Sequence, residues 1–222
     1  MEPIILASGS PRRQEFFRLL GLPFTCIPAE IDETPPAGLS PQKAAEAIAL
    51  RKVKAVISIY HGVHGETRRN TDEDVNKKHK LRETPWLHSS QINWVFGADT
   101  IVVLENEIFG KPENRDAARK MLGCLSGKRH EVITAMALYN GRDKKTDCRS
   151  VSCEVAFAPL STQEIEWYLD TGEWEGAAGA YRLQELGGCL INSIKGSPSA
   201  VAGLPLREFY VMLRDNGYRY GA

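Results

Sequence analysis

The sequence has no excess charge of either sign, with 28 Lys plus Arg against 28 Asp plus Glu. No global basic field is therefore present to hold duplex nucleic acid or an anionic membrane, and any anion site must be local. No apolar run comes near the length of a membrane span. The opening Met1-Glu2-Pro3-Ile4-Ile5-Leu6 lacks a basic segment and a cleavage site, so no signal peptide is expected. The five cysteines, Cys26, Cys124, Cys148, Cys153 and Cys189, include no C-x-x-C pair. Reduced thiols in a cytoplasmic protein are the expectation. Internal repeats and a linker that would divide the chain are also missing.

What remains is an ordinary globular composition over 222 residues, 42% hydrophobic and 25% charged. Ile4 to Ala7 reads as a buried strand, broken by Ser8-Gly9-Ser10-Pro11. Ser10 suits an N-cap and Pro11 the first helical position. Phe16, Phe17, Leu19 and Leu20 would give that helix its apolar side, and Gly21 would end it. Phe24 to Ile27 is a weak second strand, and an alanine-rich helix runs from Ser40-Pro41 to about Tyr60. Residues 61–93 then lose apolar periodicity and carry charge runs, so a solvated insertion is expected. His61, His64, His79 and His88 fall there, without the spacing of a metal site.

Trp94 to Phe96 and Ile101 to Leu104 flank Gly97-Ala98-Asp99-Thr100, an apolar strand interrupted by a carboxylate and a hydroxyl. A hairpin turn at Glu105-Asn106-Glu107 leads to Ile108-Phe109. Asn114 can cap a helix through Leu125. Val132 to Tyr139 and Ser150 to Ala158 read as strands joined by an Asn140-Gly141 turn. Ser161-Thr162-Gln163-Glu164 is a capping box, and a last helix runs from Pro205 to near Gly217. Mixed helices and strands give an α/β class in a single domain.

Three places could carry chemistry. Ser8-x-Ser10-Pro11-Arg12-Arg13 sets hydroxyls, turn amides and guanidiniums at a helix N-terminus, an arrangement that suits an anion or simply caps a helix. Asp99 in an apolar strand needs a partner, a metal or a turn to cap. Lys111, between Gly110 and Pro112, is held on a stiff loop. Ser126-Gly127-Lys128-Arg129-His130 adds a basic turn.

Taken together, these pieces resemble the Maf-like nucleoside triphosphate pyrophosphatases along nearly the whole chain outside the insertion. The matching stretches are Leu6 to Arg13, Ile31-Asp32-Glu33, Lys52, Gly97 to Thr100, Gly110-Lys111-Pro112, Ser126 to His130, Ala178 to Gln184 and Val201 to Pro205, in that order. The resemblance implies a two-lobed Maf/ITPase-like α/β fold around a strongly bent mixed sheet with a nucleotide cleft. It implies Asp99 as proton acceptor, with Glu33 and Asp99 placing a divalent cation, Mg²⁺ or Mn²⁺. Ser8, Ser10, Arg13, Lys52 and Lys111 would hold the triphosphate. Arg12, Thr100 and Gln184 fall on substrate-discriminating positions, and this combination resembles the subfamily that acts on dTTP and UTP. A 7-methyl-GTP pyrophosphatase and a non-catalytic nucleotide-binding regulator of cell division are the alternatives. A homodimer is also implied. Arg182 and Glu185 stand where many members of the family have glycine.

Overall fold

The computed structural model describes residues 1–64 and 92–221, so most of the charged insertion expected at 61–93, with His79 and His88, lies outside the described residues. Among the described residues the strands are β1 (Ile4–Leu6), β2 (Phe24–Cys26), β3 (Trp94–Leu104), β4 (Glu107–Phe109), β5 (Arg129–Asn140), β6 (Lys145–Phe157) and β7 (Ile191–Lys195). The helices are α1 (Pro11–Leu19), α2 (Pro41–His64), α3 (Arg115–Leu125), α4 (Thr162–Asp170), α5 (Pro198–Val201) and α6 (Leu206–Asp215). All seven strands join one mixed sheet in the order β2-β1-β3-β5-β6-β7, with β4 paired to β3. β1 runs parallel to β2 and β3, and the remaining pairs are antiparallel. This is the α/β class read from the sequence.

Side-chain alternation along β3 assigns each face. Val95, Ile101 and Val103 face α2 and pack on Ala45, Ala49, Val53 and Val56. Trp94, Phe96 and Ala98 face the other way, onto Phe17 of α1 and Phe209, Met212 and Leu213 of α6. Farther along that second face, Val102 and Leu104 join Leu122 of α3 and Tyr168 of α4 in a separate cluster. Two apolar clusters therefore share one face of the sheet, with Thr100 between them in register.

The edges of β3 differ in a way that makes a cleft. One edge pairs with β5 from Trp94 to Val103. On the other, β1 pairs only at Val95 and Phe96, and β4 only from Val102. No described strand covers the edge between Gly97 and Ile101.

Local sequence signals account for most boundaries. The Asn114 side chain accepts from Ala117 N at 2.9 Å, and the Ser161/Glu164 capping box is formed. Glu105 and Asn106 both take positive φ, 52° and 69°, as a two-residue type I′ hairpin needs. Other readings need correction. Ser10 is the N-cap of α1 but makes no side-chain capping bond. Only Phe17 of the expected apolar side is buried, and Leu19 is 73% exposed. The β5–β6 hairpin is not a two-residue Asn140-Gly141 turn. Asn140 pairs with Lys145, so residues 141–144 form the connection and β6 starts five residues earlier than expected. Gly141 instead packs against the neighbouring segment: its N–H donates to Asn93 O at 2.8 Å, and a Cβ there would lie 1.7 Å from Ile92 O. Lys144 takes the positive φ of the turn. β7 carries no strong alternation and was not foreseen.

His130 is buried in the cluster under α3 and α4, edge-on to Phe157 and Tyr181, with Nε2 2.9 Å from Tyr181 Oη. Burial pushes its imidazole down from 6.5 to about 4. The unfolded chain thus binds a proton that the folded chain refuses between those values, and stability falls as pH drops through that window. From pH 7 to pH 5 the expected contribution is a loss of about 1–2 kcal/mol. Urea unfolding at both pH values should show this difference in the native protein and a smaller one in His130→Phe; an unchanged difference would remove His130 as its source.

Candidate active site

The uncovered edge of β3 opens into a cleft of about 410 Å³. All ten residues that the resemblance assigned to the site line it, Ser8, Ser10, Arg12, Arg13, Glu33, Lys52, Asp99, Thr100, Lys111 and Gln184, whereas Lys128 and Arg129 of the basic turn pair with Glu105 and Glu154 outside it. The ten arrive from the β1–α1 turn, the loop after β2, α2, the middle of β3, the loop after β4 and the segment before β7.

On the α2 side the site is ionic. Asp99 faces α2, where Lys52 Nζ lies 2.9 Å from its Oδ1 and 3.0 Å from Glu33 Oε1. Lys52 also donates to Ala98 O at 3.4 Å, a carbonyl on the uncovered edge. Gly97 makes this approach possible. A Cβ there would sit 3.0 Å from Ala49 O and 3.2 Å from Lys52 Cβ, so a larger residue would make α2 give way by a few tenths of an ångström. Glu33 is brought in by its loop. Asp32 Oδ1 accepts from Thr34 N at 2.8 Å, and Arg51 Nη1 donates to the Asp32 and Thr34 carbonyls at 3.4 Å. Lys111 closes the row, its Nζ 2.6 Å from Glu33 Oε2. Desolvation pushes the Glu33 carboxyl up, but Lys111 and Lys52 together outweigh it and hold the carboxyl below its ordinary value. The result is a row of alternating charge, Lys111, Glu33, Lys52, Asp99.

On the α1 side the site is a network of neutral acceptors around one guanidinium. Arg13, buried, donates from Nε to Gly203 O at 2.9 Å, from Nη1 to Ser8 Oγ at 3.1 Å and from Nη2 to Thr100 Oγ1 at 3.1 Å. Burial pushes Arg13 down, with Asp99 and Glu33 opposing, and an arginine remains charged under any such shift. Ser8 Oγ also accepts from Ser10 N at 3.3 Å, which tightens the turn. The Ser10 hydroxyl makes no hydrogen bond among the described residues.

Arg12 and Gln184 sit at the rim. Arg12 bridges Glu15 at 2.5 Å and Glu185 at 3.2 Å, so it straps the start of α1 to the Gln184 segment. The sequence marked Glu185 as unusual but gave no partner for it. Gln184 is exposed, lines the cleft and has no hydrogen bond to another described side chain.

The residues suit a hard divalent cation. Asp99 and Glu33 offer only oxygen, from two elements, and share one ammonium group between them. No group of three or more His, Cys, Asp or Glu among the described residues could hold a metal alone, so further ligands would be ligand oxygens and water. The charge count agrees: Arg12, Arg13, Lys52, Lys111 and Arg182 line the cleft against only Glu33 and Asp99, leaving a surplus of positive charge for a polyanion.

Sequence reading missed Thr134, which lies behind Thr100, and the carbonyls of Ala200 and Gly203. Backbone acceptors and a buried strand threonine leave no composition signal. Tyr181 also lines the cleft and is backed by His130.

The model of the family described as Maf-like protein matches residues 3–216. A protein of Symbiobacterium thermophilum named dTTP/UTP pyrophosphatase is 39% identical over 218 residues, covering 98% of this chain and 96% of that protein. One of the same name from Pseudoalteromonas atlantica is 39% identical over 210 residues, covering 92% of each. Among solved structures, the Staphylococcus aureus Ham1 protein aligns with a TM-score of 0.39 and 13% identity, covering 71% of this chain and 73% of its own. A family match over nearly the full length and relatives matched end to end lead to one conclusion: the chain belongs to the Maf-like protein family.

Proposed function

We propose that this protein hydrolyses dTTP and UTP to the nucleoside monophosphate and pyrophosphate. The observation that carries the reading is Asp99, a buried carboxylate paired with Lys52 in a cleft whose surplus of cations fits a polyanion. A protein that only bound nucleotide would need Arg13, Lys52 and Lys111 but gain nothing from a buried carboxylate beside phosphate. The substrate pair is the one in the relatives' names. Five scattered cysteines with no C-x-x-C pair suit a cytoplasmic enzyme working on the nucleotide pool. Among the described residues no helix is long and apolar enough to cross a membrane.

The residues divide the work as follows. Arg13, held on three sides, presents its remaining N–H groups to phosphate oxygens, with Ser8 and Ser10 beside it. Lys52 and Lys111 bring compact charge to the triphosphate. Glu33 and Asp99 would hold a divalent cation, Mg²⁺ or Mn²⁺, which supplies charge neutralisation and polarisation of the phosphate when bound. Asp99 keeps Oδ1 on Lys52, and Oδ2 has no partner among the described residues. Asp99 takes a proton from a water whose oxygen bonds to the α-phosphorus. The bond from that phosphorus to the bridging oxygen breaks, and pyrophosphate leaves with the electron pair, its charge matched by the lysines.

Asp99→Asn should keep the fold and most nucleotide affinity but lose roughly 10²–10⁴-fold in turnover. Pyrophosphate release at saturating metal measures this, and retention of half the activity would take Asp99 out of the mechanism. Lys111 sits on Glu33 until phosphate draws it away, so Mn²⁺ should bind weakly alone and tighter beside nucleotide. Electron paramagnetic resonance titration of Mn²⁺ with and without α,β-imido-dTTP reads this directly. Equal affinity in both titrations would show that the carboxylates need no freeing, or hold no metal.

Gln184 can donate and accept at once, which complements the carbonyls and N–H of a uracil or thymine edge. Higher kcat/KM is expected for dTTP and UTP than for ATP, GTP or 7-methyl-GTP, with Gln184→Ala narrowing the gap by about 1–3 kcal/mol. Preference for 7-methyl-GTP in a competition assay would overturn the substrate pair and leave the reaction standing. Cleavage of no triphosphate with Mg²⁺ or Mn²⁺ would leave a nucleotide-binding regulator.

A further inference from the structure

Thr134 is fully buried on β5, directly across from Thr100. The pair sits at the seam between the two apolar clusters on that face. Ala98 and Met136 flank it on one side, and Val102 and Val132 on the other. A polar pair there is costly unless every atom is used.

The direction of each bond can be worked out from proton counting. A threonine hydroxyl has one proton. Ala200 O can only accept, so the Thr134 proton goes there, at 2.7 Å. The 2.9 Å contact between the hydroxyls must then run from Thr100 to Thr134. Thr100 has spent its own proton and accepts from Arg13 Nη2. The chain is therefore one-way, Arg13 to Thr100 to Thr134 to the Ala200 carbonyl, and bonds aligned in this way strengthen one another. Arg13 Nε meanwhile donates to Gly203 O, just after α5, the helix that carries Ala200. Both ends of the network are tied to the same short segment.

We propose that Thr134 is a positioning residue for the reaction. It fixes the Thr100 hydroxyl as an acceptor, and so fixes the guanidinium of Arg13 in the plane that meets phosphate. It touches no substrate itself. The proposal rests on the nucleotide reading of the cleft. A small misplacement of a phosphate-binding group is enough to cost one to two orders of magnitude in rate.

Thr134→Val keeps the branched shape and removes both hydrogen bonds, whereas Thr134→Ser keeps both. With dTTP as substrate, the valine variant should lose about 10- to 100-fold in kcat/KM. The serine variant should stay within about 3-fold of the native protein. Affinity for α,β-imido-dTTP, by calorimetry, should fall about 3- to 10-fold in the valine variant. In an Arg13→Lys background, Thr134→Val should cost less than about 3-fold more, because the chain has lost its first member. A merely structural threonine would cost the same in both backgrounds, and that result, or an unimpaired valine variant, would overturn the proposal. Should Thr134→Val not fold, Thr100→Val cuts the same chain one step earlier, and it must show the same loss and the same dependence on Arg13. If the native protein releases no pyrophosphate, the functional reading fails by itself. The calorimetric arm then still decides whether Thr134 holds Arg13.

Discussion

Lys52 Nζ lies within 3.0 Å of two carboxylates while its side chain is only 7% exposed. A buried ammonium is costly to desolvate, and removing one member of such a group leaves an uncompensated charge worth about 3–5 kcal/mol. The surrounding architecture follows from keeping this group satisfied. α2 must press onto β3 closely enough to deliver Lys52, which favours glycine at position 97. The loop after β2 must return to α2, which Arg51 achieves through the Asp32 and Thr34 carbonyls. Asp99 must project from β3 toward α2, which strand alternation dictates once Val95 and Ile101 are committed to that core.

The same alternation explains how one short stretch serves two chemically different systems. Asp99 and Thr100 are neighbours, so they project from opposite faces of the sheet. Asp99 enters an ionic row on the α2 side, and Thr100 enters a one-way hydrogen-bond chain on the α1 side. They can line the same cleft because no described strand covers the edge of β3 at this point. β1 departs after Phe96 and β4 joins at Val102. Had either strand continued, the gap would close and the two faces would be separated by paired backbone. The cleft is a consequence of strand length as much as of side-chain chemistry.

Much of this was legible in the sequence, for identifiable reasons. Asn114, Ser161/Glu164, Pro11 and Gly21 are local signals whose meaning does not depend on distant contacts, and each marks an element end in the fold. The candidate site residues could be gathered because short stretches match a family in order, and all ten line one cleft. What failed was set by tertiary contact. The β5–β6 connection is longer than its Asn-Gly pair suggests because Gly141 is consumed by packing on Ile92 and Asn93. Leu19 satisfies helical periodicity but points to solvent, since α1 is covered mainly at Phe17. Thr134 looks like any strand threonine until Thr100, 34 residues away, is placed opposite it. The Arg12–Glu185 strap spans 173 residues of sequence and could not be inferred from either neighbourhood.

The two systems also differ in how they respond to a polyanion, and this decides what each contributes. Arg13 is held by neutral acceptors, Ser8, Thr100 and Gly203, so a phosphate can join its remaining N–H groups without displacing anything. Its geometry is set before the ligand arrives, which is the condition for an interaction that costs no reorganisation. Lys111 is held by a carboxylate, with its side chain more than half exposed, and a phosphate must compete with Glu33 for it. Surface ion pairs of this kind are worth about 0–1 kcal/mol, so the exchange is easy. Lys52 cannot leave in the same way, because its departure would strand Asp99 in a buried position. Among the cations of the cleft, Arg13 is thus fixed, Lys111 is exchangeable and Lys52 is locked to the proposed base. The locked pair keeps Asp99 in place while the exchangeable one follows the ligand.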